Sequence, residues 1–508
     1  MLTIDGSPLR IEDVVHVARL GEAVALAESV RDRMAGSRAV VERADAEGAV
    51  VYGVTTGFGA LADRAIDPAD RATLQRAVVL SHAAGMGKRL DDEAVRGMML
   101  LRARTLAAGL SGVRYELVES LVALLASGLV PWVPQHGSLG ASGDLAPLAH
   151  IACALLGEGF FVGEGEARLP AAAALRAHNL EPAVVGPKEG LALINGTDGM
   201  ATIMALAVHD VEALLSAADC ACAMSVEALL GTARAYDEAV VRLRSSPGQA
   251  ASARNLRTLL EGSPLVASHR ASHHAVQDAY SLRCAPQVHG AGRDAVAFCR
   301  QTVEVELASV VDNPVVLDGE VISAGNFHGQ GLAYAADLVA SVCADIAAIS
   351  ERRVDRLLDP ARSRGLPAFL SLNPGLNSGF MIAQYTAAAV VAQLRVSASP
   401  IAVLSASTSA GQEDHVSMGY EAALRTRQSV ERLRAVLAVE YMCAAQALEL
   451  RAPLRPAPAT AALLGAVRQR VPTLDEDRML ADDLEVLRGW VGDGEWRGAL
   501  SAVGVEVG

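Results

Sequence analysis

The octet Gly137-Ser138-Leu139-Gly140-Ala141-Ser142-Gly143-Asp144 sets Ser142 between two of the smallest residues, and its glycines let the backbone fold where a Cβ would clash. It lacks the Lys-Ser/Thr pair of a phosphate loop and the Gly-x-Ser-x-Gly spacing of a hydrolase elbow. A plain turn capping a helix that begins near Asp144 remains open. Other stretches also hold side chains that can do chemistry. Tyr52 lies in Val51-Tyr52-Gly53-Val54-Thr55-Thr56-Gly57-Phe58-Gly59-Ala60, where glycines and threonines break regular structure and put a phenol on a loop. His82 shares a helical face with Leu74 and Val78, a pattern that suits a core histidine as well as a functional one. Gln277, Tyr280 and Arg283 recur at three-residue intervals. A planar guanidinium can hold a carboxylate through two parallel hydrogen bonds, although an arginine on a surface helix turn has no need of that role. Glu413, in Gln412-Glu413-Asp414-His415, reads as the acidic first turn of a long helix. Adjacent positions there do not converge on one ion, so no metal site is expected.

Taken together these residues resemble a known family. Ala141-Ser142-Gly143, inside its octet, is similar to the cofactor-forming tripeptide of the aromatic amino acid ammonia-lyases and aminomutases. The resemblance implies 4-methylidene-imidazol-5-one made from the chain itself, with no external cofactor. The Gly143 nitrogen would close a ring on the Ala141 carbonyl carbon, and loss of the Ser142 hydroxyl would leave an exocyclic methylene. Glycine leaves its nitrogen unobstructed, alanine leaves the carbonyl open, and serine carries the leaving oxygen. The resemblance further implies catalytic roles for Tyr52 and Tyr280, and substrate contacts from His82, Asn195, Gln277, Arg283, Phe327 and Glu413. Asn195 enters through Asn195-Gly196-Thr197, where a helix cap is the alternative reading, and Phe327 through Gly325-Asn326-Phe327-His328-Gly329 as an aromatic wall. Ser81-His82 and Glu413 resemble the histidine-acting branch. Relatives acting on phenylalanine or tyrosine carry apolar residues or His-Leu at the first place and an amide at the second. Thr55 departs from the Asn or Ser usual in that branch, and Ala279 and Ala285 replace a proline and a glutamine.

The reaction so implied is non-oxidative elimination of ammonia from L-histidine to trans-urocanate. Arg283 would fix the carboxylate and Tyr52 would take the β-proton. A phenol ordinarily titrates at about 10, so the base role requires surroundings that favour the phenolate. Either the substrate's amine or its ring would meet the electrophile. A phenylalanine or tyrosine ammonia-lyase, or an aromatic 2,3-aminomutase, would use the same parts. A helical scaffold without activity would leave Tyr52, Ser142, Tyr280 and Arg283 occurring together unexplained.

Helices must position these loops. Of the residues 51% are apolar and only 4% aromatic, a core of Ala, Leu and Val that suits packed helices. Asp67-Pro68 predicts a helix start, with the helix running to about Gly85. Further helices are expected near 92–109 and 113–128, before Pro131-Trp132-Val133-Pro134 leads into the octet. Long rods are expected from about 195 to 230, 329 to 358 and 413 to 450. The expected fold is all-α, with an N-terminal region 1–190 carrying the tyrosine and cofactor loops, and 191–508 as a central long-helix bundle with C-terminal helices. The resemblance places it in the fumarase/aspartase-like superfamily, whose other branches lack the Ala-Ser-Gly octet.

A net charge of -14 argues against a nucleic-acid partner and gives no support to a membrane one. Polar residues are expected to interrupt every apolar run before about 18 residues, too early for a membrane span. The start of the chain shows no secretory pattern and the seven cysteines form no Cys-x-x-Cys pair, so a cytoplasmic protein with reduced core thiols is expected. The expected partner is a small amino acid substrate, and the resemblance implies a homotetramer with shared active sites.

Overall fold

The computed structural model describes residues 1–271 and 276–508. Helices dominate, as expected of an all-α chain, and among the described residues the strands form only two-stranded sheets. The anticipated rods run Asp198–Ala228, Gln330–Leu358 and Gly419–Glu449. A fourth, Ala285–Ala308, opens on Ala285-Pro286 and carries Gly290 and Gly292, residues that read as loop rather than rod. Asp198–Ala228 and Gln330–Leu358 each hold an 18-residue window apolar enough to cross a membrane, contrary to the expectation from polar interruptions. Within the protein 83% and 61% of those windows is buried. A rod packed on most sides must be apolar on most sides.

The chain folds as two compact units, the first comprising Met1–Leu206, Arg300–Asp337 and Pro400–Leu424, the second Ala207–Cys299, Leu338–Ser399 and Arg425–Gly508.

In the first unit, helix Asp92–Ala107 is buried along most of its length and packs against Ile11–Ala18 and Tyr115–Ala126. Gly97 permits close approach to Thr202, whose Cγ2 would lie 2.3 Å from a Cβ there. Arg102, on the same helix, serves carbonyls that no helical ladder reaches. It donates to Ala192 O at 3.1 Å, Asn195 O at 3.0 Å and Val311 O at 2.8 Å. Its charge is answered by Asp198 at 3.2 Å. Helix Arg71–His82 follows a turn that Asp67 caps by accepting from Ala69 N–H at 3.1 Å, and it packs against Leu145–Leu155 and Glu189–Ala192. That packing gathers the His82 end, the octet and the segment before Asn195.

The second unit is organised around buried charge. Asp219 accepts from His289 at 2.7 Å, Asn255 at 2.9 Å and Arg293 at 2.7 Å. Burial pushes its carboxyl up, but hydrogen bonds from His289 and Ser252 and the charge of Arg293 outweigh that and hold it below the ordinary range. Arg353 and Glu440, both fully buried, pair at 2.5 Å, with Ser225 and Ser350 completing the carboxylate's hydrogen bonds. A buried pair needs such satisfaction to persist.

Candidate active site

The octet occupies the connection between strand Pro134–His136 and helix Leu145–Leu155. Its backbone lies against two other backbones. Asp144 N–H donates to Gly196 O at 2.7 Å, and Met418 N–H donates to Leu139 O at 2.8 Å. Gly143 has φ +73°, and a Cβ there would meet Gly196 O at 2.3 Å, so only glycine fits. Ala141 is buried beside it. The Asp144 side chain does not cap its own helix, as the sequence pattern suggests, but accepts from Met200 N–H at 2.8 Å and Ser138 hydroxyl at 2.8 Å. It therefore serves the first turn of Asp198–Ala228, where a carboxylate meets unpaired amides and the positive end of a long helix. Burial pushes its carboxyl up to about 7, against those hydrogen bonds.

Ser142 opens onto a cavity of about 630 Å³ in the first unit, lined also by Tyr52, His82, Asn195 and Glu413. The Ser142 hydroxyl donates to Glu413 Oε1 at 3.1 Å, and the Thr408 hydroxyl donates to Glu413 Oε2 at 2.9 Å. Burial lowers the His82 imidazole below its ordinary value, against the Val78 carbonyl and the Glu413 charge, which favour the protonated ring. His82 Nδ1 lies 2.8 Å from Val78 O, an atom that can only accept, so the neutral ring carries its proton on Nδ1 and leaves Nε2 as an acceptor. Tyr52 packs edge-on to Phe58 with ring centroids 6.4 Å apart. Its phenolic oxygen accepts from Gly59 N–H at 3.1 Å, a donor placed where a phenolate would use it. Thr55 is buried off the cavity wall, its hydroxyl accepting from Val51 N–H at 2.9 Å and donating to Ala49 O. That departure therefore shapes the loop and leaves the cavity wall untouched.

Glu413 is not in the first turn of the last rod. That helix begins at Gly419, and Glu413 pairs with Thr408 in the preceding loop, where Ser409, Ala410 and Met418 take φ of +50°, +52° and +54°. Ser409 and Arg64 also line the cavity. The small-residue run Ser409-Ala410-Gly411 is the sequence signal for that wall. Phe327 is half-buried in the first unit before Gln330–Leu358 and does not line this cavity. Gln277, Tyr280 and Arg283 belong to the second unit. There Tyr280 is 70% exposed, the Arg283 guanidinium lies 4.5 Å from the Tyr280 ring centroid, and Arg283 Nε donates to Asp278 O at 2.9 Å. Gln277 is exposed. Among the described residues no three His, Cys, Asp or Glu side chains are grouped to hold a metal ion.

The residues present fit a ring closed within the tripeptide. Gly143 has no side chain to obstruct its nitrogen, both flanks of the loop are pinned, and Asn195 Oδ1 is buried beside the cavity without a hydrogen-bond partner. That open acceptor bears on the substrate and not on the ring, which carries no N–H or O–H to donate.

The chain is 50% identical over 502 residues to the histidine ammonia-lyase of Anaeromyxobacter sp. (strain K), covering 97% of this chain and 99% of the relative. It is 47% identical over 504 residues to the histidine ammonia-lyase of Streptomyces coelicolor, covering 99% and 98%. Among solved structures it is similar to histidine ammonia-lyase from Trypanosoma cruzi, with TM-score 0.91 and 36% identity over 99% of this chain and 96% of that one. It is also similar to tyrosine aminomutase from Streptomyces globisporus, with TM-score 0.94 and 34% identity over the whole of both chains. The aromatic amino acid lyase profile matches residues 9–469, and the chain belongs to that family of enzymes.

Proposed function

We propose that this enzyme eliminates ammonia from L-histidine to give trans-urocanate, with 4-methylidene-imidazol-5-one formed from Ala141-Ser142-Gly143 as its resident electrophile. The observation that carries the reading is the meeting of Glu413 and His82 with Ser142 and Tyr52 in one cavity. When formed, the group supplies an electrophilic carbon that no side chain offers. The chain's own residues do the rest. Glu413, oriented by Thr408, accepts from the single N–H of the substrate's imidazole, and His82 Nε2 stands on the same wall as an acceptor for another donor of the substrate. Tyr52, with Gly59 N–H at its oxygen, takes the β-proton. Asn195 offers its open Oδ1 to a donor of the substrate. Arg283 binds the carboxylate and Tyr280 acts beside it, with Gln277 and Phe327 completing the pocket, in a homotetramer whose sites are shared between copies. All seven cysteines are free, which suits a reducing cytoplasm.

Incubation with histidine, phenylalanine and tyrosine, with ultraviolet detection of urocanate, cinnamate or coumarate, tests the reading. Urocanate as the dominant product is expected. The likeness to a solved tyrosine aminomutase makes β-amino acids the second outcome to measure, by mass spectrometry.

A further inference from the structure

Gln75 lies on helix Arg71–His82 and is fully buried. Its Nε2 donates to Gly53 O at 3.1 Å, the carbonyl next in the chain to Tyr52. Its Oε1 accepts from Gly190 N–H at 3.0 Å and Leu191 N–H at 3.3 Å, amides in the first turn of Glu189–Ala192 that have no partner within their helix. Leu191 O in turn accepts from Asn195 N–H at 3.0 Å. One side-chain amide thus spans the loop of the tyrosine and the turn that carries the asparagine. The three segments meet without slack. A Cβ at Gly190 would lie 2.1 Å from Gln75 O, and one at Gly53 would lie 2.6 Å from Leu191 Cδ2.

We propose that Gln75 is a positioning residue that fixes Tyr52 relative to Asn195. The proposal rests on the lyase reading above for the meaning of that geometry. Gln75 is not on the cavity wall and acts only through the two backbones it joins. An amide is needed because one end must donate and the other accept. The loop holding Tyr52 is irregular, so the bond to Gly53 O replaces a ladder that the loop lacks. Without it the phenol keeps its chemistry and loses its place.

Gln75→Glu separates the two ends. As a carboxylate it still accepts from Gly190 and Leu191 but sets a second acceptor against Gly53 O. Expected is a ~10- to 100-fold fall in kcat for histidine, the scale of a misplaced catalytic group. KM should change less than about threefold, since the substrate's binding contacts remain. Amide hydrogen exchange should speed across residues 49–59 and stay unchanged across 189–195. Should Gln75→Glu fail to fold, Gln75→Met fills similar volume and removes both ends, so both segments should exchange faster and kcat should fall at least as far. A role in packing alone would lower the melting temperature without separating kcat from KM. A kcat fall below about tenfold in a folded variant, an equal change in KM, or unchanged exchange across 49–59 overturns the proposal. If the wild-type enzyme does not turn over histidine, the lyase reading fails, and the exchange measurement still decides the clamp.

Discussion

The Ser142 hydroxyl donates to Glu413 Oε1 while Thr408 occupies Oε2. Formation of the proposed internal cofactor would remove that hydroxyl and leave one carboxylate oxygen open to an N–H donor. An imidazole supplies such a donor and a phenyl ring does not. Glu413→Gln should therefore lower kcat/KM for histidine by ~10- to 100-fold, the loss of one charge-assisted hydrogen bond, and raise any residual turnover of phenylalanine. Parallel kinetics on both substrates check this, and a variant silent toward histidine would sink the imidazole assignment. Mass spectrometry of the intact active protein should find it two waters lighter than its sequence, and Ser142→Ala should fold normally without turnover. His82 adds a pH signature. Burial depresses its folded value, so as pH falls below the ordinary range of about 6.5 and through that value, Nε2 takes a proton and stops accepting. Affinity for histidine should drop on that acid limb, and in a His82→Gln variant the drop should flatten.

Between elements, Asp144 shows what local sequence conveys and what it omits. An Asp placed just before a helix reads as that helix's cap, yet its carboxylate serves the N-terminus of Asp198–Ala228, more than fifty residues on. Glu413 failed as a helix residue for a related reason. Acidic side chains mark helix starts on average, whereas here positive-φ residues and the Thr408 pairing hold the chain out of the helix until Gly419. Most other helix bounds were legible to within a few residues because apolar periodicity and capping are local, as Asp67 shows. The Asp144 placement makes a prediction about stability. Its folded value, about 7, stands above the ordinary 3.8, so between those limits the folded protein holds more protons than the unfolded chain. That carboxyl's contribution should therefore be full at low pH and be lost as pH rises to about 7. Asp144→Asn can still accept from Met200 N–H but cannot ionise. Urea unfolding of both proteins across that range should show the wild type losing stability relative to the variant as pH rises. A constant difference would mean that Asp144 does not titrate there.

At the level of the whole molecule, the residues fall into two groups that the chain's order does not predict. Tyr52, His82, Ser142, Asn195 and Glu413 come together in the first unit from distant parts of the sequence. Only their likeness to a known family tied them together beforehand, since no spacing links position 142 to 413. Gln277, Tyr280 and Arg283 were equally legible as motifs, yet they lie in the second unit with Tyr280 largely exposed. An exposed phenol stacked under a guanidinium gains little where it stands, and it suits a residue completed by another copy. The shared-site homotetramer proposed above can be tested by mixing. Tyr52→Phe and Tyr280→Phe should each be inactive alone. Co-expressed and assembled at random, they should place both wild-type tyrosines in about a quarter of the sites if each site draws Tyr52 from one chain and Tyr280 from another, because two independent even choices must both fall correctly. If both tyrosines of a site came from one chain, every site would lack one of them and activity would stay at the level of the separate variants. Light scattering on the mixed protein gives the assembly size in the same sample. Recovery near a quarter of wild-type activity in a tetramer is the expected result, and no recovery in a tetramer confines each site to a single chain.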